Sequence, residues 1–184
     1  MSYRDRKLLR ELSDGQVKAY SEVVETHYER IYAFLYRMTR DVALAEDLTQ
    51  DTFATAWRSL DKFEGRASLA TWMHTIALNV CREYMRRDHP PTVEIDEEKI
   101  ASPDPMPELI ERLGSEQLNQ KVQHAVVELP LIYREVVVLR CTQGLKYREV
   151  ADILGLPLGT VKTRLFVAFE KLRTALREEI EASE

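Results

Sequence analysis

Apolar positions recur along this chain at three-and-four spacing, the period of helices that bury one face. A short amphipathic segment is expected from about Tyr3 to Leu12, then a turn and cap at Ser13-Asp14-Gly15. From Gln16 to Thr39 a stripe runs through Val17, Tyr20, Val23, Val24, His27, Ile31, Phe34, Leu35 and Met38. Asp41 is placed to cap the next helix, Val42–Leu60. A loop follows over Phe63-Glu64-Gly65-Arg66-Ala67-Ser68, with Ser68 as the N-cap of a helix Leu69–Arg87. That helix is expected to bury Leu69, Trp72, Met73, Ile76, Ala77, Val80 and Tyr84.

The pattern breaks after Arg87. From Asp88 to Glu111 the chain is dense in acid and carries Pro90, Pro91, Pro103, Pro105 and Pro107, which forbids a regular helix over most of its length. Helical spacing then resumes and culminates in Tyr147–Leu172. Val150, Ala151 and Leu154 give a first helix its buried stripe, and Gly155 suits a turn needing positive φ. Pro157 suits the entry to a second helix, along which Val161, Leu165, Ala168, Leu172 and Leu176 recur. Ala151 is small where two steeply crossing helices would touch. This is the pattern of a helix-turn-helix, whose second helix enters the DNA major groove, although an ordinary helical hairpin has the same spacing. The fold class expected is all-α: an N-terminal helical bundle (residues 1–87), a flexible acidic Pro-rich linker (88–106), and a C-terminal helix-turn-helix domain (107–184).

Composition alters this picture only through where the charge lies. With 184 residues, 45% hydrophobic and 31% charged, the chain is long enough for two small cores. Its net charge of −5 looks wrong for a nucleic-acid binder, but local sign outweighs the sum because distant charges are screened. Arg82, Arg86 and Arg87 cluster before the linker, and Lys146, Arg148, Lys162, Arg164, Lys171, Arg173 and Arg177 decorate the C-terminal region. Two basic faces are thus tied by an acidic strap, although any one cluster alone reads equally as a solvated helix face. Cys81 and Cys141 lie in apolar helical patterns and read as buried free thiols, with a reducing compartment as the default. The first residues lack the apolar core of a signal peptide, and no run of about 18 apolar residues exists to span a membrane.

Enzyme chemistry finds no foothold. The four histidines, His27, His74, His89 and His124, fall in separate segments. His74 and Cys81 share a helix face but stand two turns apart, too far for one metal. There is no Gly-rich phosphate loop, no nucleophile motif and no carboxylate pair in an apolar setting. No catalytic residue, metal or cofactor is expected.

The Val42–Leu60 helix has two apolar faces. Ala45, Leu48, Thr52, Ala56 and Leu60 make one, adequate for a core. Asp47, Gln50, Phe53 and Trp57 make another, with Asp51 beside it. Acid, amide and large aromatics on one face suit a protein-protein hot spot, while the aromatics alone equally suit an interior.

The order AEDLTQDTFATAWRSLDKF, a loop, LATWMHTIALNVCREYMRR, an acidic linker, LPLIYREVVVLR and the helix-turn-helix resembles a bacterial sigma factor of the sigma-70 family. The short form resembles the extracytoplasmic-function group, and the likeness runs from about Leu12 to Leu176. The resemblance implies a cytoplasmic protein that binds core RNA polymerase and directs initiation at −10 and −35 promoter elements. Its N-terminal domain would be the family's region 2 and its C-terminal domain region 4.

Asp47, Gln50, Asp51, Phe53 and Trp57 would grip the clamp helices of the polymerase β′ subunit, and the β flap would be a further contact. Phe63, Arg66, Ser68, Trp72, Asn79, Arg82 and Arg86 match the element that captures the −10 strand, where a base leaving the stack needs a pocket and phosphates need cations. Housekeeping relatives place an aromatic and a Trp-Trp pair at the strand-separating edge; this chain has Leu69, Trp72 and Met73, which implies weaker melting. Trp72 also lies on the core stripe.

Lys146, Arg148, Thr160, Lys162, Thr163 and Arg164 would serve the −35 element, with Arg164 or Lys162 to guanine and Arg148 and Lys146 to phosphate. Relatives often carry basic residues where this chain has Phe166-Val167-Ala168-Phe169. Those phenylalanines are free to pack on a neighbouring helix or to bind a partner. The linker would thread toward the RNA exit path. Control by an anti-sigma factor and a stress-response regulon are also implied. The alternatives are a stand-alone helix-turn-helix regulator of duplex DNA and a helical adaptor without DNA contact.

Overall fold

The computed structural model describes residues 17–60, 63–88 and 116–181. The expected Tyr3–Leu12 segment, the Ser13-Asp14-Gly15 turn and the linker beyond Asp88 lie outside the described residues. The chain divides into two compact units, Met1–Pro91 and Thr92–Glu184.

In the first unit α1 spans Val17–Thr39, α2 Val42–Arg58 and α3 Leu69–Asp88, and each packs on the other two. Two residues join α1 to α2. Arg40 takes the left-handed conformation (φ 58°) and its N–H closes α1 on the Tyr36 carbonyl at 2.7 Å. Asp41 then caps α2 as expected, its Oδ1 accepting from the Leu44 N–H at 3.0 Å. The helices run antiparallel, because Tyr20 meets Trp57 while Tyr28 meets Phe53.

The core takes Val23, Ile31, Phe34, Leu35 and Met38 from α1 and Ala45, Leu48, Phe53 and Ala56 from α2. Thr49 and Thr52 are fully buried because their hydroxyls donate back to the Ala45 and Leu48 carbonyls at 2.6 and 2.7 Å.

Helix α3 corrects the expected stripe. Leu69, Met73, Ile76 and Ala77 are buried, but Trp72 and Val80 are half-buried and Tyr84 is 39% exposed. Thr71, His74, Leu78 and Cys81 are buried instead. Contact with both other helices widens the buried arc, which takes in two polar side chains that bond within their own turn. His74 Nδ1–H donates to the Ala70 carbonyl at 2.7 Å, and the Thr71 hydroxyl lies 2.8 Å from that of Ser68. Bulk misplaced Trp72, Val80 and Tyr84 while Leu69, Met73, Ile76 and Ala77 fell as expected, and a bonded hydroxyl such as that of Thr71 is cheap to bury.

The second unit contains α4 (Glu116–Glu128), α5 (Leu131–Val137), a π-helical turn Val138–Thr142, α6 (Tyr147–Leu154) and α7 (Leu158–Glu181). Helix α7 packs on α4, α5 and α6. Its inner face buries Val161, Leu165, Ala168, Phe169 and Leu172, with Phe166 and Leu176 half-buried. Of the two phenylalanines left open by the sequence, Phe169 therefore packs inside.

The helix-turn-helix forms as its local chemistry directs. Val150, Ala151, Ile153 and Leu154 are buried, Gly155 takes φ 66°, and the Leu156 N–H reaches back to the Ala151 carbonyl at 3.1 Å, a Schellman closure. Cys81 is buried and Cys141 half-buried, both as free thiols.

Candidate functional site

Three surfaces collect the residues singled out by sequence. On α2, Asp47, Gln50 and Asp51 are exposed and Trp57 keeps 43% of its surface open. Trp57 is steadied by an edge contact with Tyr20, ring centroids 4.8 Å apart. Phe53 does not join them. It is 5% exposed and stacks on Tyr28 at 6.1 Å, so it belongs to the core. The reason is angular: Phe53 sits at the edge of the outward arc, on the side where α1 lies. The outward face is therefore acidic and amide with one aromatic.

Along α1 the rings of Tyr28, Tyr32 and Tyr36 stack at 6.3 and 6.2 Å, and the Arg40 guanidinium lies 5.0 Å from the Tyr36 ring centre. Burial, then the Glu46 carboxylate and the neighbouring tyrosines and Glu29, push the Tyr32 phenol above its ordinary value.

The second surface is the loop before α3 and the outer stripe of that helix. Phe63 and Trp72, both half-buried, pack with centroids 4.8 Å apart at 43°. They form a small wall at the loop, which fits neither a fully cored Trp72 nor a free wedge. Arg66 is exposed and pairs with Glu64 at 2.5 Å. The Ser68 hydroxyl is engaged as the cap, accepting from the Thr71 N–H at 3.1 Å. Asn79 and Arg86 are exposed and Arg82 half-buried, at i, i+3 and i+7 along one stripe that begins at Trp72. Arg87 pairs with Glu83 at 2.5 Å.

The third surface is in the second unit. Lys146 is exposed and is the N-cap residue of α6, its backbone N–H donating to Glu149 Oε2 at 2.7 Å. Arg148 and Lys162 are exposed, while Thr160 and Thr163 are half-buried.

Arg164 departs from expectation. It is 8% exposed, on the inner arc with Val161, Leu165 and Ala168, and is engaged within the unit. Glu135 on α5, which packs against α7, is buried too. An Arg164 side chain so placed packs with the interior instead of standing out from the helix. Periodicity had already marked that arc; the charge of Arg164 obscured it.

Two residues that the sequence did not single out come forward instead. The guanidinium of Arg140, on the π turn, lies 4.8 Å from the Tyr147 ring centre, and Lys162 Nζ lies 5.8 Å from the same centre. The available signal was an arginine closing the apolar run VVVLR.

Among the described residues no cluster of His, Cys, Asp and Glu could hold a metal, and no helix is long and apolar enough to cross a membrane.

Comparison with known proteins adds the following. The family model described as Sigma-70 region 2 matches residues 23–89, and that described as Sigma-70, region 4 matches residues 119–172. The chain is 30% identical over 184 residues to the extracytoplasmic-function RNA polymerase sigma factor SigW of Bacillus subtilis, covering 94% of this chain and 97% of that one. Among solved structures, CnrH in complex with the cytosolic domain of CnrY aligns with a TM-score of 0.70 and 26% identity, over 95% of this chain and 97% of that one. The sigma factor RpoE in complex with the anti-sigma factor NepR, from Bartonella quintana, aligns with a TM-score of 0.66 and 29% identity, over 88% and 98%.

Proposed function

The chain belongs to the extracytoplasmic-function group of the sigma-70 family, and from that premise we propose how its surfaces divide the work of promoter recognition. It is a sigma factor: it binds core RNA polymerase and directs initiation at promoters. The family is non-enzymatic, and this chain is read the same way, with the chemistry of RNA synthesis left to the polymerase.

The observation that carries the assignment of surfaces is their separation. An acidic face with one exposed aromatic lies on α2, and basic stripes lie on α3 and around α6 and α7. Asp47, Gln50, Asp51 and Trp57 dock the β′ clamp helices, with Trp57 as the apolar anchor. The Phe63–Trp72 wall receives a base of the opened −10 strand, Asn79 reads an edge, and Arg66, Arg82 and Arg86 track phosphates. Thr160, Lys162 and Thr163 meet the −35 element from the first turns of α7, with Lys146 and Arg148 on the backbone. Arg164 has no part in this reading. Residues 1–87 act as the polymerase and −10 domain, 88–106 as the linker through the exit path, and 107–184 as the −35 and β-flap domain.

Two similar proteins were solved as complexes, CnrH with the cytosolic domain of CnrY and RpoE with the anti-sigma factor NepR. The second complex supports control of the present chain by an anti-sigma factor; that this partner covers the α2 face, in the cytoplasm and for a stress-response regulon, belongs to the same proposal. Region 2 similarity and coverage of a whole relative weigh against a stand-alone regulator, which needs no clamp-binding domain.

The test is to mix the chain with bacterial core polymerase and a promoter library. Specific initiation is expected only from the mixture. A chain that retains promoter duplex unaided and leaves the core inert would contradict the reading.

A further inference from the structure

One aromatic ring ties together three elements of the second unit. Tyr147 opens α6 and is half-buried. Arg140 reaches it from the π turn at 4.8 Å and Lys162 from α7 at 5.8 Å. We propose that Tyr147 is a positioning residue that holds Arg140 and Lys162 as a two-cation grip on the phosphate backbone of duplex DNA beside the first turns of α7. This rests on the promoter-binding reading above and deepens it, adding Arg140 as a contact and giving Tyr147 its task.

First, both cations are restrained before any ligand arrives. Arg140 is half-buried and its Nη1 donates to the Leu145 carbonyl at 3.4 Å, which holds one arm of the fork. Lys162 is exposed on a flexible four-carbon stem, and the face of a ring narrows the positions its ammonium samples. Second, the charges are not neutralised where they sit. Among the described residues no ion pair joins a carboxylate to Arg140 or Lys162. A neutral ring attracts both cations without cancelling either. Third, the location suits a polyanion. Lys162 lies in the first turns of the second helix of the helix-turn-helix, with exposed Lys146 and Arg148 flanking Tyr147 in sequence. Of the two cations that the sequence offered to guanine, Arg164 lies in the interior, and the ring holds Lys162 beside the backbone instead.

The experiment uses full-length chain in holoenzyme with core polymerase, bound to a promoter duplex chosen from the library and titrated against salt. Tyr147→Leu is expected to weaken binding about tenfold, the size of two lost cation–π contacts, whereas Tyr147→Phe stays within about twofold. The double variant Arg140→Ala/Lys162→Ala is expected to flatten the log–log salt slope by roughly 1.8, about 0.9 for each phosphate released. In that double background Tyr147→Leu should add no further loss, because a positioning residue has nothing left to position. Tyr147→Gln serves as a second ring deletion at this half-buried site if the leucine variant misfolds.

An equal loss on deleting the ring after both cations are gone overturns the inference, since the ring then acts through packing alone; promoter selectivity of the wild type would survive that result. A wild-type holoenzyme that retains no promoter overturns both readings, so the two failures are distinguishable.

Discussion

Phe53 and Trp57 are the sharpest place to test the structure against the chain's chemistry, because sequence assigned both to one face and the fold separates them. Phe53 is 5% exposed, and truncating such a residue to alanine typically costs about 3–5 kcal/mol. Against a total stability of roughly 5–15 kcal/mol for a domain, Phe53→Ala should leave the first unit marginal.

Trp57 differs. Taking about 250 Å² for a large aromatic side chain, its 43% exposure leaves roughly 110 Å² for a partner to cover. At about 25 cal/mol per Å² that area is worth about 2.7 kcal/mol, or nearly a hundredfold in Kd. An edge contact with Tyr20, worth about 0.5–1.5 kcal/mol, holds its ring to the fold. Trp57→Ala is therefore expected to lose most of its affinity for core polymerase at a modest cost in stability, and Phe53→Ala to do the reverse. Urea unfolding followed by helical circular dichroism gives the first quantity, and titration of labelled chain into core polymerase the second. Equal stability losses for the two variants, or unchanged polymerase affinity of a folded Trp57→Ala chain, would refute the reasoning.

Other outcomes follow from the same geometry. Arg164→Ala should destabilise the second unit by about 1–3 kcal/mol in urea, through lost interior contacts; undiminished stability with altered −35 selectivity would restore it to the DNA surface. Gly155→Ala should cost about 1–2 kcal/mol, and for backbone reasons alone, because φ is 66° while the new methyl would meet nothing within 4 Å; an unchanged urea midpoint would contradict the Schellman turn.

The Tyr32 phenol holds its proton more tightly in the folded chain than in the unfolded one, for reasons of burial and then of Glu46. The stability it contributes is full below the ordinary tyrosine value and is lost as pH rises through the raised one. Glu46→Gln should lower that value, read as phenolate absorbance by difference against Tyr32→Phe, and no displacement would show that Glu46 is not a cause.

Local chemistry was legible from residues alone. The caps Asp41 and Ser68, the left-handed Gly155 and the helix-turn-helix depend on side chains meeting their own backbone within a few residues, so the chain's order suffices to specify them. The resemblance to sigma factors was legible for the same reason, since motifs in a fixed order survive without coordinates.

What periodicity does not carry is the angle at which a neighbouring helix covers an edge position. Phe53 sits at such an edge and is taken inward by α1. The polar Thr71 and His74 are buried on α3 because two helices flank it, while bulky Tyr84 is left outside. Arg164 follows the inner arc of α7 despite its charge.

The meeting of Arg140, Tyr147 and Lys162 is a further step removed. It joins a π turn and two helices through ring and cation distances set by how those elements pack. Sequence alone thus determined the helices, their ends and their kinship; tertiary packing decided which side chains face a partner, because exposure at the margin of a helix belongs to the pair of helices and not to either one.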